Sequence, residues 1–294
     1  MNKCLCKSPS PSNHKIHFKG YIRDGMNKSK KNSTIFLCKK CKVIFLEKKS
    51  QLNQKDYFNS NYRKLIIHGK TINGYIKRWS KHNDLYFKEL NISYGKNCNI
   101  ADVGCGVGLF LSKFKKKTTN TIAIEPNIMF HQYLKKNFDY KYNYLKELKS
   151  DKKIRIDLLF CFHVIEHVED PLYFINEIFD VLKKGSTAYI ITPNDNEILN
   201  KTIPNFKQFY YRTVHNWYFN KDSMSNLLEK SKFKKFIVTS NHFRGIDNFL
   251  YWVKHSKPYF KNEMLISNNK TDLNWKKFLE ENYIGENIVV KLTK

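Results

Sequence analysis

The sequence predicts an α/β fold, a doubly wound and mostly parallel sheet, and three stretches carry that prediction. Residues 99–111 (NIADVGCGVGLFL) begin as a short apolar run broken only by Asp102. They turn through Gly104, Gly106 and Gly108 and leave as Leu109, Phe110 and Leu111. That is the pattern of a buried strand, a tight glycine loop and a helix start. A second apolar run, residues 121–124, ends on Glu125. A third, residues 156–161, leads into the helix-starting pair Asp170-Pro171. Strands that alternate with helical patterns imply parallel βαβ units.

From the N-terminus, residues 1–50 form a first unit. Cys4-Leu5-Cys6 and Cys38-Lys39-Lys40-Cys41 bracket a stretch rich in Lys, Ser and Asn, and apolar runs at 35–37 and 43–46 flank the second pair. A knuckle between two strands is how a zinc ribbon holds its metal, with four thiolate or imidazole ligands. Cys4, Cys6, Cys38 and Cys41 are the expected ligands, with His14 and His17 nearby as substitutes. Lys42 stands where a knuckle glycine is usual. The alternative is a set of free thiols on an arm.

Residues 51–97 read as a helical linker or lid. Tyr57, Tyr62 and Arg63 are candidates to line a ligand mouth. A helix is expected over 72–90, with Ile72, Ile76, Trp79, Leu85, Tyr86 and Leu90 near helical spacing. Gly95 marks its end. The main domain then runs over 98–294. After the glycine loop, residues 110–114 start a helix, Lys116 and Lys117 sit in a loop, and 128–137 form the next helix. A faint third strand lies near 142–145. Beyond Asp170-Pro171, a helical face of Leu172, Ile175, Ile178, Phe179 and Leu182 ends at Gly185. Residues 188–191 form a strand ending in Thr192-Pro193-Asn194. An aromatic stretch at 206–219, a helix at 221–231, a strand at 236–240, an insertion at 241–286 and a last strand at 287–293 complete the chain.

The glycine spacing excludes two phosphate sites. A dinucleotide fingerprint requires Gly or Ala at 109, where Leu109 stands, and no Gly-Lys-Ser/Thr is present. An acid at the tip of the second strand is placed to accept hydrogen bonds from ribose hydroxyls. In a doubly wound sheet, ligands bind beyond the carboxyl ends of the strands where strand order reverses, so 104–108 and 161–167 are expected to converge on one cleft.

Asp102-Val-Gly-Cys-Gly-Val-Gly108 with Glu125-Pro126 resembles the binding signature of class I S-adenosylmethionine (SAM) methyltransferases. Ile165-Glu166-His167, Asp170-Pro171 and Thr192-Pro193-Asn194 follow in that family's order, although Lys184 and Ser186 replace its common Pro and Gly. The resemblance implies a Rossmann-like seven-stranded sheet, mostly parallel with the last strand antiparallel, beside the small zinc-ribbon-like N-terminal segment. It implies SAM contacts from Asp102, Gly104, Cys105, Gly106, Gly108, Glu125, Pro126, Cys161, Phe162 and His163. The adenine-contacting acid stays open between Glu147 and Asp151.

The N-terminal segment is similar to that of some sugar-modifying methyltransferases. The implied acceptor is a sugar or nucleotide sugar of a bacterial surface polysaccharide pathway, methylated at oxygen or carbon. An alcohol acceptor must lose a proton as it attacks, a task suited to His. His215 is the first candidate as base or substrate ligand, then His167, then His163. In some sugar C-methyltransferases a Glu precedes this His and a Tyr stands three residues before it. Val214 and Arg212 occupy those places here, which undercuts transfer of that machinery. The rival readings are an RNA methyltransferase, which lacks support from any N/D-P-P-Y/F tetrapeptide, and a silent SAM-binding scaffold.

The chain of 294 residues carries a net charge of +27 that is spread along its length. Together with abundant Asn, Ile, Phe and Tyr, this reads as solvated lysine set by codon bias, with attraction to an anionic substrate as the alternative. No run of about 18 apolar residues exists, and the N-terminus lacks an apolar signal stretch. A cytoplasmic location is expected. Seven cysteines, an odd number, do not suit a secreted disulfide scaffold.

Overall fold

In the computed structural model the glycine-loop strand lies inside a seven-stranded sheet. The structure describes residues 4–6, 11–24, 30–52, 71–90, 92, 94–95, 97–115, 119–151, 153–257 and 268–294. Tyr57, Tyr62, Arg63, Lys116 and Lys117 lie outside the described residues.

The strands are β1 (His14–Arg23), β2 (Lys30–Cys38), β3 (Ile44–Leu46), β4 (Asn99–Val103), β5 (Asn120–Ile124), β6 (Tyr140–Tyr142), β7 (Ile156–Phe162), β8 (Leu182–Pro193), β9 (Trp217–Tyr218), β10 (Lys235–Asn241) and β11 (Asn287–Thr293). The helices are α1 (Ile72–Leu90), α2 (Ile128–Asn137), α3 (Leu145–Ser150), α4 (Pro171–Val181), α5 (Ile198–Thr202), α6 (Phe206–Tyr210), α7 (Lys221–Glu229), α8 (Ile246–His255) and α9 (Asn269–Glu281). The large sheet has the order β10-β11-β8-β7-β4-β5-β6 and is mostly parallel, with one antiparallel strand towards an edge. β4 pairs in parallel with both β5 and β7. The chain therefore winds outward through β5 and β6 on one side and restarts at β7 on the other. The reversal of strand order falls between β4 and β7.

The chain divides into two compact units. One comprises Met1–Gln51, Ile191–Leu227 and Ile237–Val290, and the other Leu52–Ile190, Leu228–Phe236 and Lys291–Lys294.

In the second unit, β4, β5 and β7 are buried along nearly their whole length, as central strands of a parallel sheet are. α2 starts where the Asn127 side chain accepts from the Met129 N–H at 3.0 Å. α4 starts where Asp170 accepts from the Tyr173 N–H at 3.0 Å, with Pro171 in its first turn. Both boundaries follow from capping chemistry.

Three expectations need correction here. The glycine loop leads into a short 3₁₀ turn, Leu111–Phe114, rather than an α-helix. Phe110 and Phe114 both pack on Phe160, with ring centroids 4.7 and 5.3 Å away, and Lys115 then leaves in extended conformation. Gly185 does not end α4. The helix stops at Val181 because buried Leu182 already takes extended angles and enters β8. Gly185 sits within β8 at φ +81°, donating to the Lys294 carbonyl while the Lys294 N–H donates to Ser186. The third strand lies at 140–142, slightly before the expected position.

The first unit holds a four-stranded sheet of order β1-β2-β3-β9. β1 and β2 form an antiparallel hairpin whose register slips between Ile16 and Phe18, so His17 is a bulge residue. Its core gathers Ile22, Ile35, Ile44, Leu46, Tyr211, Tyr218 and Trp252, all nearly inaccessible.

Candidate functional site

The site in the second unit is built from the loop after β4. Gly104, Gly106 and Gly108 all have positive φ, at +70°, +58° and +74°. A Cβ on Gly104 would lie 2.4 Å from Val164 Cγ2, and one on Gly108 would lie 2.3 Å from the Phe138 ring. Both the backbone conformation and the close approach therefore demand glycine. The contact with Val164 also joins the loop after β4 to the loop after β7, so residues 104–108 meet the segment from Cys161 to His167 as expected.

Glu125, 2% exposed, ties this loop to the start of α2. Its Oε2 accepts from the Gly106 N–H and its Oε1 from the Asn127 N–H, both at 2.9 Å. A carboxylate offers about four acceptor sites, so capacity remains for two hydroxyl donors. Asn127 Nδ2 is buried and donates to nothing among the described residues, although its side-chain oxygen caps α2. A buried donor without a partner at this strand end fits a ligand acceptor. Asp102 is buried beneath the loop. Burial, and secondarily the Glu125 charge, hold its carboxyl well above the usual range. Burial likewise pushes the Cys105 and Cys161 thiols up, which suits packing residues rather than nucleophiles. Glycine backbone, an acid with two spare acceptor sites and an unused amide make a cradle that fits SAM. Pro126 stands at the tip of this strand beside Glu125, and Phe162 packs its ring on Phe110 at 4.8 Å.

At the end of β7, His163 adopts φ +56°, rare for a residue other than Gly. Its Nδ1 lies 3.5 Å from Glu166 Oε1 and its Nε2 lies 2.5 Å from the Tyr86 hydroxyl. Tyr86 Oη also bonds His82 Nε2 at 3.1 Å. Glu166 is 1% exposed; burial alone would raise its carboxyl, but His163 and His167 reverse this and hold it below the ordinary value. His167 sits half-buried beside it, its N–H donating to the Val164 carbonyl.

α1 supplies two residues that the apolar stripe did not identify, Tyr75 and His82. They join Trp79 and Tyr86 on its inner face, whereas Leu85 is 36% exposed. Tyr75 packs on Phe130, and its hydroxyl lies 2.8 Å from the position of a Cβ on Gly106. Spacing of three and four residues among aromatic and His side chains was the available signal. The acids left open for adenine are both engaged locally: Glu147 accepts from Asn143, and Asp151 accepts from the Tyr142 hydroxyl.

The first unit contains the cysteine cluster. One ligand atom from each of Cys4, Cys6, Cys38 and Cys41 lies within 4.8 Å of the others. The Cys6 and Cys38 sulfurs are 3.6 Å apart, close to the roughly 3.8 Å edge of a tetrahedral zinc–thiolate site. Lys42 takes φ +60°, so the knuckle turn forms without its glycine, and Cys38 and Lys42 close it with backbone bonds. Burial pushes the Cys4 thiol to about 11 and raises Cys41, whereas hydrogen bonds from the knuckle backbone and Cys41 outweigh burial and lower Cys38. The donor set fits zinc. The substitutes are engaged elsewhere: His14 packs on Phe45, and His17 bonds Asp195 at 3.2 Å. His215 lies in this unit, 8% exposed, with its ring against Tyr218.

Comparison with known proteins locates the chain. A family profile described as "Methyltransferase domain" matches residues 78–236. Ubiquinone biosynthesis O-methyltransferase of Pelagibacter ubique is 32% identical over 120 residues, 38% of this chain and 46% of that protein. The tRNA U34 carboxymethyltransferase of Campylobacter fetus is 24% identical over 154 residues, 48% of this chain and 52% of that protein. The chain spans about half the length of these relatives. A solved SAM-dependent methyltransferase of Thermotoga maritima, a possible histamine N-methyltransferase, superposes with a TM-score of 0.49 at 17% identity, covering 76% of this chain and 96% of that one.

Proposed function

This chain belongs to the methyltransferase-domain family, the class I SAM-dependent methyltransferases, and on that premise we propose that it methylates an oxygen of a small hydroxylated acceptor. The observation that carries the reading is Glu125, which locks the glycine loop through Gly106 and keeps acceptor sites for ribose hydroxyls. The O-methyltransferase relatives support oxygen as the methylated atom. When bound, SAM supplies an activated methyl group. The chain's own work is to hold, orient and dehydrate. Gly104, Gly106 and Gly108 present backbone to the cofactor, Glu125 and Asn127 receive its ribose side, and Asp102 lies beneath.

His163 is the group we assign to the acceptor proton. Glu166 beside Nδ1 keeps the proton on that nitrogen, so Nε2 is the basic atom, and the proton reaches it through the Tyr86 hydroxyl, which gives its own proton to Nε2 as it takes the acceptor's. An imidazolium formed there faces a buried carboxylate. His167 supports the charge of Glu166. In this reading the four cysteines hold a structural zinc that staples a sheet too small to bury much core.

We favour a sugar or nucleotide sugar as acceptor, as the positive charge suits an anionic one. The tRNA-modifying relative gives RNA as the second reading. The test is transfer of isotopically labelled methyl from SAM to three acceptors in parallel: a nucleotide sugar, a catechol and bulk tRNA. Label in the nucleotide sugar or the catechol supports a small hydroxylated acceptor, and label in tRNA alone overturns it.

A further inference from the structure

Two arginines of the first unit are set side by side. Arg23 at the end of β1 and Arg212 just after α6 are partners across a parallel bridge. The Arg23 N–H donates to the Tyr211 carbonyl at 3.1 Å, and the Thr213 N–H donates to the Arg23 carbonyl at 3.0 Å. Bridge partners present their side chains on the same face, and like charges so placed destabilise a sheet. Both side chains are half-buried.

Each is also preorganised. The Arg23 guanidinium lies 3.8 Å over the Phe209 ring. The Arg212 backbone is clamped by Tyr218, whose hydroxyl accepts from the Arg212 N–H and donates to its carbonyl, both at 2.9 Å. Arg212 Nε is buried and has no hydrogen-bond partner among the described residues. Of the nearby acids, Asp195 accepts from the Tyr211 hydroxyl and bonds His17, and Asp24 accepts from the Thr213 hydroxyl.

We propose that Arg23 and Arg212 form an oxyanion fork that binds a phosphoryl group. Guanidinium donors match phosphate oxygens in paired geometry. A phosphoryl dianion has the charge and the three oxygens to engage both arginines, whereas a carboxylate answers one. The ligand class is a small phosphate or diphosphate ester. The inference is independent of methyl transfer, because binding is read without cofactor or turnover.

The test is calorimetric titration and thermal melting of the full chain with inorganic pyrophosphate and with UDP, with acetate and sulfate at matched ionic strength. Wild type is expected to bind both phosphate probes and melt higher with them. Arg212→Gln weakens binding at least tenfold, while Lys184→Gln, removing an exposed charge elsewhere, leaves it unchanged. Without ligand, Arg212→Gln melts no lower than wild type, since a like-charge pair is relieved. Should Arg212→Gln fail to fold, Arg212→Lys keeps the charge, loses the fork and is expected to bind several-fold more weakly. Sulfate, a tetrahedral dianion with the same oxygen geometry, is expected to bind as a mimic. The proposal is overturned by no binding at millimolar pyrophosphate, by equal losses in the Arg212 and Lys184 variants, or by acetate binding as well as pyrophosphate.

Discussion

Glu125→Ala is the most informative perturbation of the cofactor cradle. It removes two charge-assisted bonds, from the Gly106 and Asn127 N–H groups, in a place 2% exposed. Such bonds contribute about 1.5–3 kcal/mol each, so the gross loss is about 3–6 kcal/mol. Part returns, because the Glu125 charge also disfavours ionised Asp102 nearby. A net destabilisation of about 2–4 kcal/mol is expected in urea unfolding. Binding of S-adenosylhomocysteine, followed by calorimetry, loses the ribose contacts as well and weakens by about 1–3 kcal/mol, about 5- to 150-fold. Glu125→Gln keeps one acceptor but turns an NH2 towards an N–H donor, so it falls between wild type and Ala in stability. If Glu125→Ala unfolds like wild type and binds within about threefold of it, the carboxylate is not what holds the loop or the ribose, and the reasoning fails.

Other expectations follow from single residues. Asp102→Asn stabilises the fold near neutral pH while weakening cofactor binding. The folded carboxyl is raised above its unfolded value, so from about pH 4 upward the unfolded chain releases a proton that the folded one keeps, and wild-type stability falls with rising pH through that window. Urea midpoints across pH 4–8 check this, since the Asn variant should show a flatter profile. Gly108→Ala meets the Phe138 ring at 2.3 Å with φ +74°, and a loss of about 2–4 kcal/mol in urea unfolding is expected. Chelation or Cys41→Ser should release about one zinc per chain in a dye assay and open the β1–β2–β3 sheet to proteolysis. Zinc affinity should fall as pH falls, because the buried Cys4 thiol, at about 11, must lose its proton to bind. Tyr86→Phe deletes the hydroxyl bonded to His163 Nε2, and the pH profile of methyl transfer to whichever acceptor is labelled should move, with little change in KM for SAM.

The parts readable from sequence were those with a local physical cause. Alternating glycines permit the positive φ that a tight strand-ending turn needs, so residues 104–108 were legible as a loop. The boundaries of α2 and α4 follow from Asn127 and Asp170-Pro171, whose capping partners lie within three residues. Glu125 was legible because its position at a strand tip fixes its direction. The knuckle of Cys38 and Cys41 also showed, even with Lys42 in place of glycine, since the turn needs only one residue at φ +60°.

The tertiary structure decided what depends on distant neighbours. Whether 111–114 continues as an α-helix rests on aromatic packing against Phe160, far along the chain. Leu182 leaves α4 because the sheet can bury it, which no local propensity states. His82 and Tyr86 join His163 only once α1 and β7 are packed, and a stripe drawn from apolar residues alone passed over His82 and included exposed Leu85. His17 looked like a spare metal ligand from its distance in sequence to the cysteines. A one-residue bulge turns it to Asp195 instead, because in a strand a shift of one position exchanges the two faces. The sequence by itself thus determined the strand, the glycine loop that follows it and the helix starts at Asn127 and Asp170, which are set by contacts a few residues long. Only the folded chain set Arg23 beside Arg212 and Tyr86 beside His163, since those pairs are far apart in sequence and meet through strand pairing and packing alone.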